Sequence, residues 1–330
     1  MKILVTGACG YIGSHFVKRA LDRYPTVEIT ALDNLSEGHR EAIPDNSRVE
    51  YFNGDINNLV ETRKLLARKR PDVVVHFAAN AYVGESQENP FKYFDNNVIG
   101  SLNLFKAMDE NGVNKLLFSS SCTTYGVPEY MPLDEAHSQE PISVYGATKV
   151  MVETALRGLN KSRNWSYIAL RYFNASGADD EGEIGESHDP ETHLIPLVLQ
   201  TALGKRKELS IFGDDYETED GTCIRDYVHV YDLADAHCLA VEKLLADGPP
   251  VAEGINLGTS KGASVKEIID LCEEISGKKV NCKVIQRRSG DPAKLVADFK
   301  KAREFLGWSP KYDLRKIIET AWRWENSRKY

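Results

Sequence analysis

Short apolar runs alternate with longer stretches of helical periodicity through the first half of the chain. The strands this pattern predicts cover residues 3–6, 28–32, 49–52, 73–77, 115–119 and 167–171. Helical spacing sets in near Ile12, Asn58, Asn96 and Tyr145. Near-continuous apolar strands separated by helices are the signature of a parallel sheet covered on both faces. The first five runs each end in small or polar residues: Gly7, Asp33, Asp55, Ala78 and Ser120. Ligands of open α/β sheets gather at such carboxyl ends.

Beyond Asn174 the pattern loosens. An acidic, glycine-rich loop covers 178–188, followed by a helix over 194–203, an extended run over 209–212 and a loop over 213–221. Helices are expected over 233–245 and 265–276, a short strand over 255–257, and an amphipathic terminal helix over 314–325. The expected architecture is α/β: a Rossmann-type doubly wound parallel sheet with a smaller mixed α/β substrate-binding domain. The expected division is 1–175 and 176–330, with a segment near 225–260 able to return to the first part. At 330 residues the chain exceeds the size at which a single core stops growing, which favours two unequal parts.

Composition narrows the function. A net charge of −8 gives no global electrostatic case for nucleic acid or an anionic membrane. No run of about 18 apolar residues is present to cross a bilayer, and the chain enters a strand at its start without a leader pattern. The expected location is therefore cytoplasmic. The six cysteines form no CxxC pair, so no disulfide framework and no metal are expected from them.

Two local patterns carry chemistry. Gly7-Ala8-Cys9-Gly10-Tyr11-Ile12-Gly13 follows the first strand and opens the first helix. Gly7 suits the tight turn, Gly10 lets backbone approach a pyrophosphate, and Gly13 permits close helix–sheet packing. Three glycines alone would fit any tight turn. Their place between strand and helix, with phosphate-binding N–H groups at the helix start, points to a dinucleotide. Asp33 lies twenty residues beyond Gly13 at the next strand end, where a carboxylate accepts from a ribose 2′-hydroxyl and repels a 2′-phosphate. That favours NAD. Asp55, ending the third strand, could address the adenine amino group.

The second pattern is Tyr145-Gly146-Ala147-Thr148-Lys149, which puts a phenol and an ammonium on one helical face. A phenol starts near pKa ~10, and adjacent positive charge favours its ionised form. Such pairs are often surface decoration. Ser121, ending the fifth strand, makes a catalytic trio with Tyr145 and Lys149 for removing an alcohol proton while hydride leaves the same carbon. Cys122 has no base placed beside it by sequence and reads as packing.

Taken together, these motifs resemble the extended short-chain dehydrogenase/reductase family, and within it the nucleotide-sugar 4-epimerases. The resemblance spans nearly the whole chain. It includes Val83-Gly84-Glu85-Ser86, Asp95-Asn96-Asn97, Arg171-Tyr172-Phe173-Asn174, the run from Glu219 to Tyr227 and the run from Gly290 to Asp298. It implies reversible C4 epimerisation of UDP-glucose and UDP-galactose with tightly bound NAD, through a 4-keto sugar. It also implies that Gly7, Gly10, Tyr11, Ile12, Gly13, Asp33, Asn34, Asp55, Ile56, Phe77, Ala78, Ala79, Asn96 and Phe173 join the trio around the cofactor. Asn174, His193, Leu194, Phe212, Arg225, Arg288, Asp291 and Leu295 would join Ser121 and Tyr145 around the UDP-sugar. The two arginines have their own physical case, since guanidinium offers fixed donors to phosphate. Where some members carry a lysine shortly after Phe77-Ala78-Ala79, this chain has Asn80-Ala81 and loses one cofactor contact.

Leu295 occupies the family's sugar-specificity position and leaves acceptance of N-acetylhexosamines open. UDP-xylose/UDP-arabinose is the other substrate alternative, prompted by Ala81-Tyr82-Val83-Gly84-Glu85-Ser86 and the terminal Trp322-Arg323-Trp324. A 4,6-dehydratase would want an Asp-Glu pair where this chain has Cys122-Thr123-Thr124. A homodimer through the helices near Asn96 and Tyr145 is the assembly the family implies.

Overall fold

The computed structural model describes residues 1–288 and 291–330. Gly290, which opens the last of the matched runs, lies outside the described residues. The first half builds β1 (Lys2–Thr6), α1 (Tyr11–Arg23), β2 (Glu28–Asp33), β3 (Val49–Asn53), α2 (Leu59–Lys69) and β4 (Val73–His76). A short α3 (Val83–Glu88) comes next. Then α4 (Pro90–Tyr93) runs through a π-helical stretch, Phe94–Gly100, into α5 (Ser101–Glu110). β5 (Lys115–Ser121), α6 (Val144–Arg163) and β6 (Ser166–Tyr172) complete it.

These strands form a parallel sheet ordered β10-β6-β5-β4-β1-β2-β3, where β10 (Ala252–Leu257) arrives from much later in the chain and pairs with β6. The order reverses at β1, the strand that feeds the glycine turn, so the switch-point crevice opens there.

The apolar runs are continuous because both sheet faces are buried, and alternate residues serve different cores. Ile3, Val5, Val73, Val75, Leu117, Ile168 and Leu170 pack into one core with α1 and α8 (Val230–Leu245). Leu4, Val74, Leu116, Phe118, Tyr167 and Ala169 pack into the other with α2, α5 and α6. Burying Leu4 or Val74 contributes about 1.5–3 kcal/mol each, and together these pairs lock the register.

The remaining elements form a smaller assembly. It begins with β7 (Asn174–Ser176), α7 (Leu194–Ala202), β8 (Leu209–Phe212) and β9 (Ile224–His229), and resumes after β10 with β11 (Gly262–Ser264) and α9 (Val265–Ser276). β12 (Cys282–Ile285) and β13 (Lys294–Leu295) follow, then α10 (Lys300–Leu306), which packs Ala302 and Leu306 back on the first core, and α11 (Leu314–Asn326). β9 is its hub, pairing parallel with β7 and β13 and antiparallel with β11. β8 pairs with β12 separately. A third core of Ile195, Val198, Leu209, Ile268 and Ile318 seals α7, α9 and α11 around them.

Candidate active site

The glycine turn, the ends of β2 to β4 and the π-helical stretch line a half-open cleft. Of the residues expected there, Gly7, Gly10, Asp33, Asn34, Asp55, Ile56, Phe77, Ala78, Ala79 and Asn96 all line it. The glycines differ in function. Gly7 has φ +69°, and a Cβ there would lie 2.5 Å from the Ala78 backbone nitrogen. A Cβ at Gly13 would lie 2.2 Å from the Gly7 carbonyl oxygen, so this glycine serves helix–loop packing. At Gly10 a Cβ would meet only the Gly7 carbonyl oxygen, at 3.4 Å, and would otherwise project into open space. Gly10 thus leaves room for a ligand.

Tyr11 and Ile12 begin α1, so their backbone N–H groups are among the unpaired donors of its first turn. Their side chains turn elsewhere: the Tyr11 hydroxyl donates to the Gly177 carbonyl at 2.6 Å, and Ile12 packs on the core. Asp33 is buried and accepts N–H groups from Cys9 and Leu35, both at 2.8 Å. It therefore braces the glycine turn as well as facing the cleft, and burial raises its pKa. Asn34 donates to Asp55 at 3.1 Å across the same wall. The π-helical stretch sets Asn96 against Asn97, whose amide donates to the Asn80 carbonyl at 3.0 Å and to Thr148 at 3.2 Å. This ties the cleft wall to α6.

Beside the cleft, β5 delivers Ser121 and α6 delivers Tyr145 and Lys149, all three buried. Gly146 allows the close approach, since a Cβ there would lie 2.4 Å from the Thr123 carbonyl oxygen. The first turn of α6 is capped three ways. Ser143 accepts from Gly146 at 3.0 Å, Ser86 from the Tyr145 N–H at 3.1 Å, and Gln87 from the Val144 N–H at 2.9 Å. Ser86 and Gln87 belong to α3, an element no periodicity announced, although Ser86 lies in a matched motif. The Lys149 ammonium donates to the Ser119 carbonyl at 2.8 Å and lies 5.5 Å from the centre of the Tyr145 ring. Burial lowers Lys149 to about 7. Burial likewise pushes the Tyr145 phenol up, opposed by the Ser121 hydroxyl. Desolvation dominates at the phenol, which differs from the expectation drawn from charge alone. Burial also raises the Cys122 thiol to about 12, in keeping with its reading as packing.

The third group lies on the smaller assembly. Arg225 and Leu295 are register partners on β9 and β13, and Arg225 pairs with Asp291 at 2.5 Å. Arg288 stacks 4.0 Å from the centre of the Phe212 ring at the end of β8. Asn174, opening β7, donates to the Asp226 carbonyl at 3.0 Å. Phe173 and Leu295 share one apolar cluster with Tyr125, Leu133 and Cys122, the residue after Ser121. That cluster brings the third group against the trio. His193 and Leu194 open α7: the His193 ring meets Glu186 at 2.7 Å and Glu191 at 3.3 Å, while Leu194 packs on the third core with Ile211 of β8.

Behind the trio, sequence reading missed a buried ion pair. Glu153, one turn past Lys149, meets Arg171 of β6 at 2.6 and 3.0 Å and accepts from Ser120 at 2.6 Å. A helical i+4 count from Lys149 would have found Glu153; its partner needed the fold.

The profile of the NAD dependent epimerase/dehydratase family matches residues 3–258. A UDP-glucose 4-epimerase of Halalkalibacterium halodurans is 48% identical over 325 residues, covering 98% of this chain and 95% of that protein. The crystal structure of UDP-glucose 4-epimerase from Brucella ovis in complex with NAD has a TM-score of 0.93 at 45% identity, covering 97% of each chain. The UDP-glucose-4-epimerase of Stenotrophomonas maltophila, with bound NAD and formylated UDP-arabinopyranose, has a TM-score of 0.93 at 37% identity. It covers 99% of this chain and 98% of that one.

Proposed function

The chain belongs to the NAD dependent epimerase/dehydratase family, and on that premise we propose how its residues carry out reversible C4 epimerisation of UDP-glucose and UDP-galactose. The observation that carries the reading is the convergence of Ser121, Tyr145 and Lys149 beside a glycine-lined cleft.

The cleft fits NAD. Gly10 leaves space where a pyrophosphate must approach, α1 with the unpaired N–H groups of its first turn begins directly after it, and Asp33 stands at the adjoining strand end. When bound, NAD supplies the acceptor and donor of hydride at C4, so the sugar passes through a 4-keto form and can return in either configuration. Asn34, Asp55, Ile56, Phe77, Ala78, Ala79 and Asn96 extend the proposed cofactor surface.

Tyr145 exchanges the proton of the C4 hydroxyl. Its burial favours the neutral phenol, so proton removal depends on positive charge brought near the ring. Lys149, itself lowered to about 7 by burial, is the protein's own source of that charge when protonated, and Ser121 is positioned to share the hydroxyl. Burial of all three excludes water from a ketone that must be reduced again before it leaves. Phe173 and Leu295 line the apolar side of the sugar, while Arg225 and Arg288 offer donors to the diphosphate. Asn174, Phe212, Asp291 and the start of α7 at His193 and Leu194 complete the proposed nucleotide-sugar surface.

We assign residues 1–175 with α8 and β10 to the cofactor side, and the remainder of 176–330, β9 included, to the sugar side. Ile99, Leu102 and Met151 are exposed on the π-helical stretch, α5 and α6, which supports a homodimer through those helices. Among the described residues, no helix is long and apolar enough to cross a membrane. A cytoplasmic location is the corresponding proposal. Purified protein given UDP-galactose should produce UDP-glucose without added NAD. Absence of conversion at full cofactor occupancy would overturn the reading.

A further inference from the structure

We propose that Glu186, His188, Glu191 and His193 form a divalent-cation site, with zinc the ion best suited to it. Each residue offers one ligand atom, and the four atoms lie within 4.8 Å of one another. The four groups are near enough to close on one ion after small side-chain adjustments. His188 Nδ1 lies 3.2 Å from Glu186 Oε1 and 3.8 Å from Glu191 Oε2, and His193 Nδ1 lies 3.3 Å from Glu191 Oε1 and 2.7 Å from Glu186 Oε1. Tetrahedral zinc with bonds of about 2.0–2.1 Å spaces its ligand atoms about 3.3 Å apart.

A second observation separates this cluster from an ordinary network of ion pairs. The Glu191 side chain is only 3% exposed, yet its Oε2 has no hydrogen-bond partner, and neither has His188 Nδ1. Two buried lone-pair atoms thus converge without satisfying each other, an arrangement costing about 1–3 kcal/mol per group unless something binds both. The other Glu191 oxygen is already oriented, accepting N–H groups from Thr192 at 2.8 Å and His193 at 2.9 Å. Such fixing of a ligand carboxylate by its surroundings is typical of metal sites.

A neighbouring carboxylate cluster, Asp179, Glu181 and Glu183, makes an instructive contrast. The Lys18 ammonium sits among its oxygens at 2.8–3.8 Å and supplies the positive charge. No lysine or arginine ion pair is formed by Glu186 or Glu191 among the described residues. Against burial, Glu186 and Glu191 raise His188 to about 9 and His193 to about 10, so without an ion the rings carry the balancing charge; a divalent ion would displace those protons and take over that charge. Mixed nitrogen and oxygen donors in a four-coordinate set suit zinc over magnesium or calcium.

The ion would pin the loop leading into α7. That loop already reaches α11 through the Glu186 carbonyl, which accepts from Trp324 at 2.7 Å, and meets His39 at the Ser187 carbonyl, 3.1 Å away. Its His188 ring packs edge-on against Tyr82 at 5.7 Å. The Tyr82 hydroxyl donates to Glu37 of the cleft wall at 3.0 Å.

The test is calorimetric titration of zinc ion into the full-length chain after chelator treatment, alongside His188→Ala and Glu191→Gln. Both variants are checked for folding by circular dichroism, and Glu191→Gln keeps the side-chain shape. The wild type should bind one zinc per chain in preference to magnesium, with affinity at least tenfold weaker in folded Glu191→Gln. Cobalt in its place should show the visible absorption of a four-coordinate ion. Failure of the wild type to bind zinc stoichiometrically would overturn the proposal. Stoichiometric binding undiminished in both variants would also overturn it, since the ion would then lie elsewhere.

Discussion

Replacing Glu153 by glutamine should destabilise the protein by an amount the structure allows to be worked out. The Glu153 carboxylate takes two bonds from Arg171, one from Ser120 and one from Gln139, and its side chain is 2% exposed. Arg171, at 7%, is nearly as deeply buried. An amide keeps one accepting oxygen but turns a donor toward Arg171 or Gln139. The guanidinium then lies buried without its counter-charge, with at most one amide oxygen and the Tyr125 hydroxyl at 2.9 Å left to it. Removing one partner of such a pair costs about 3–5 kcal/mol. An unfolding entropy of about 2.1 cal/mol/K per residue gives roughly 0.7 kcal/mol/K for a chain of this length, so Tm should fall by about 4–7 °C. Scanning calorimetry of Glu153→Gln measures this directly. A paired variant, Glu153→Met with Arg171→Met, should recover much of the loss, because an apolar pair incurs no desolvation penalty. A fall below about 1 °C in the single variant, or a paired variant no better than the single one, would refute the reasoning.

Tyr145→Phe should keep Tm within about 1 °C, since only a hydroxyl is lost, while turnover of UDP-galactose falls about 10²–10⁴-fold; unchanged turnover would remove the phenol from the mechanism. Gly10→Ala and Gly13→Ala should separate binding from folding. The first should weaken NAD binding in a fluorescence titration with little change in Tm, whereas the second, with its Cβ 2.2 Å from the Gly7 oxygen, should cost about 1–3 kcal/mol of stability. Stability should also fall as pH drops from about 5.5 toward 4. Burial lowers His15 and His237 to about 4 and His76 and His229 to about 3, so the unfolded chain takes up protons there that the folded chain refuses. Asp226 and Asp232, raised to about 6, act in the opposite sense, as do Asp33 and Glu135, raised by burial. His188 and His193, raised to about 9 and about 10, oppose the fall down to about pH 5.5, below which they are charged in both states. The fall should therefore be read between about pH 5.5 and 4. Urea unfolding at intervals of half a pH unit would show it, and a flat profile across that window would contradict the assignment.

The larger sheet was legible because its strands are buried on both faces. Val73, Val74 and Val75 must all be apolar, so the run itself marks the strand, and small residues mark its functional end. Predicted strands over 3–6, 28–32 and 49–52 differ from those observed by a single residue at one end. The smaller assembly gave no such signal. β7, β11 and β13 have three, three and two residues, and their stability comes from pairing with β9 across long stretches of chain. β12 has its first three residues exposed, leaving no alternation to read. The helix expected near Asn96 begins earlier, at Pro90, because the π-helical turn breaks the 3.6-residue spacing on which a periodicity reading depends.

The same distinction explains which parts of the site a sequence can announce. Tyr145, Lys149 and Glu153 recur every fourth residue along α6, so one helical face presents a phenol, an ammonium and a carboxylate in a row. What each group does, however, depends on the strand beside it. Lys149 donates to the Ser119 carbonyl and Glu153 accepts from Ser120, while Ser121 moderates the phenol; three consecutive residues of β5 thus address three successive turns of α6. Gly146 makes this possible by admitting the Thr123 carbonyl, and the α3 side chains Ser86 and Gln87 fix where α6 begins. A one-residue shift of β5 against the helix would reverse which serines face it and put Ser120 where Ser121 stands. The trio is therefore a consequence of sheet register as much as of residue identity. The Glu153–Arg171 pair joins α6 to β6 beside β5, and Ser120 ties β5 into the same pair.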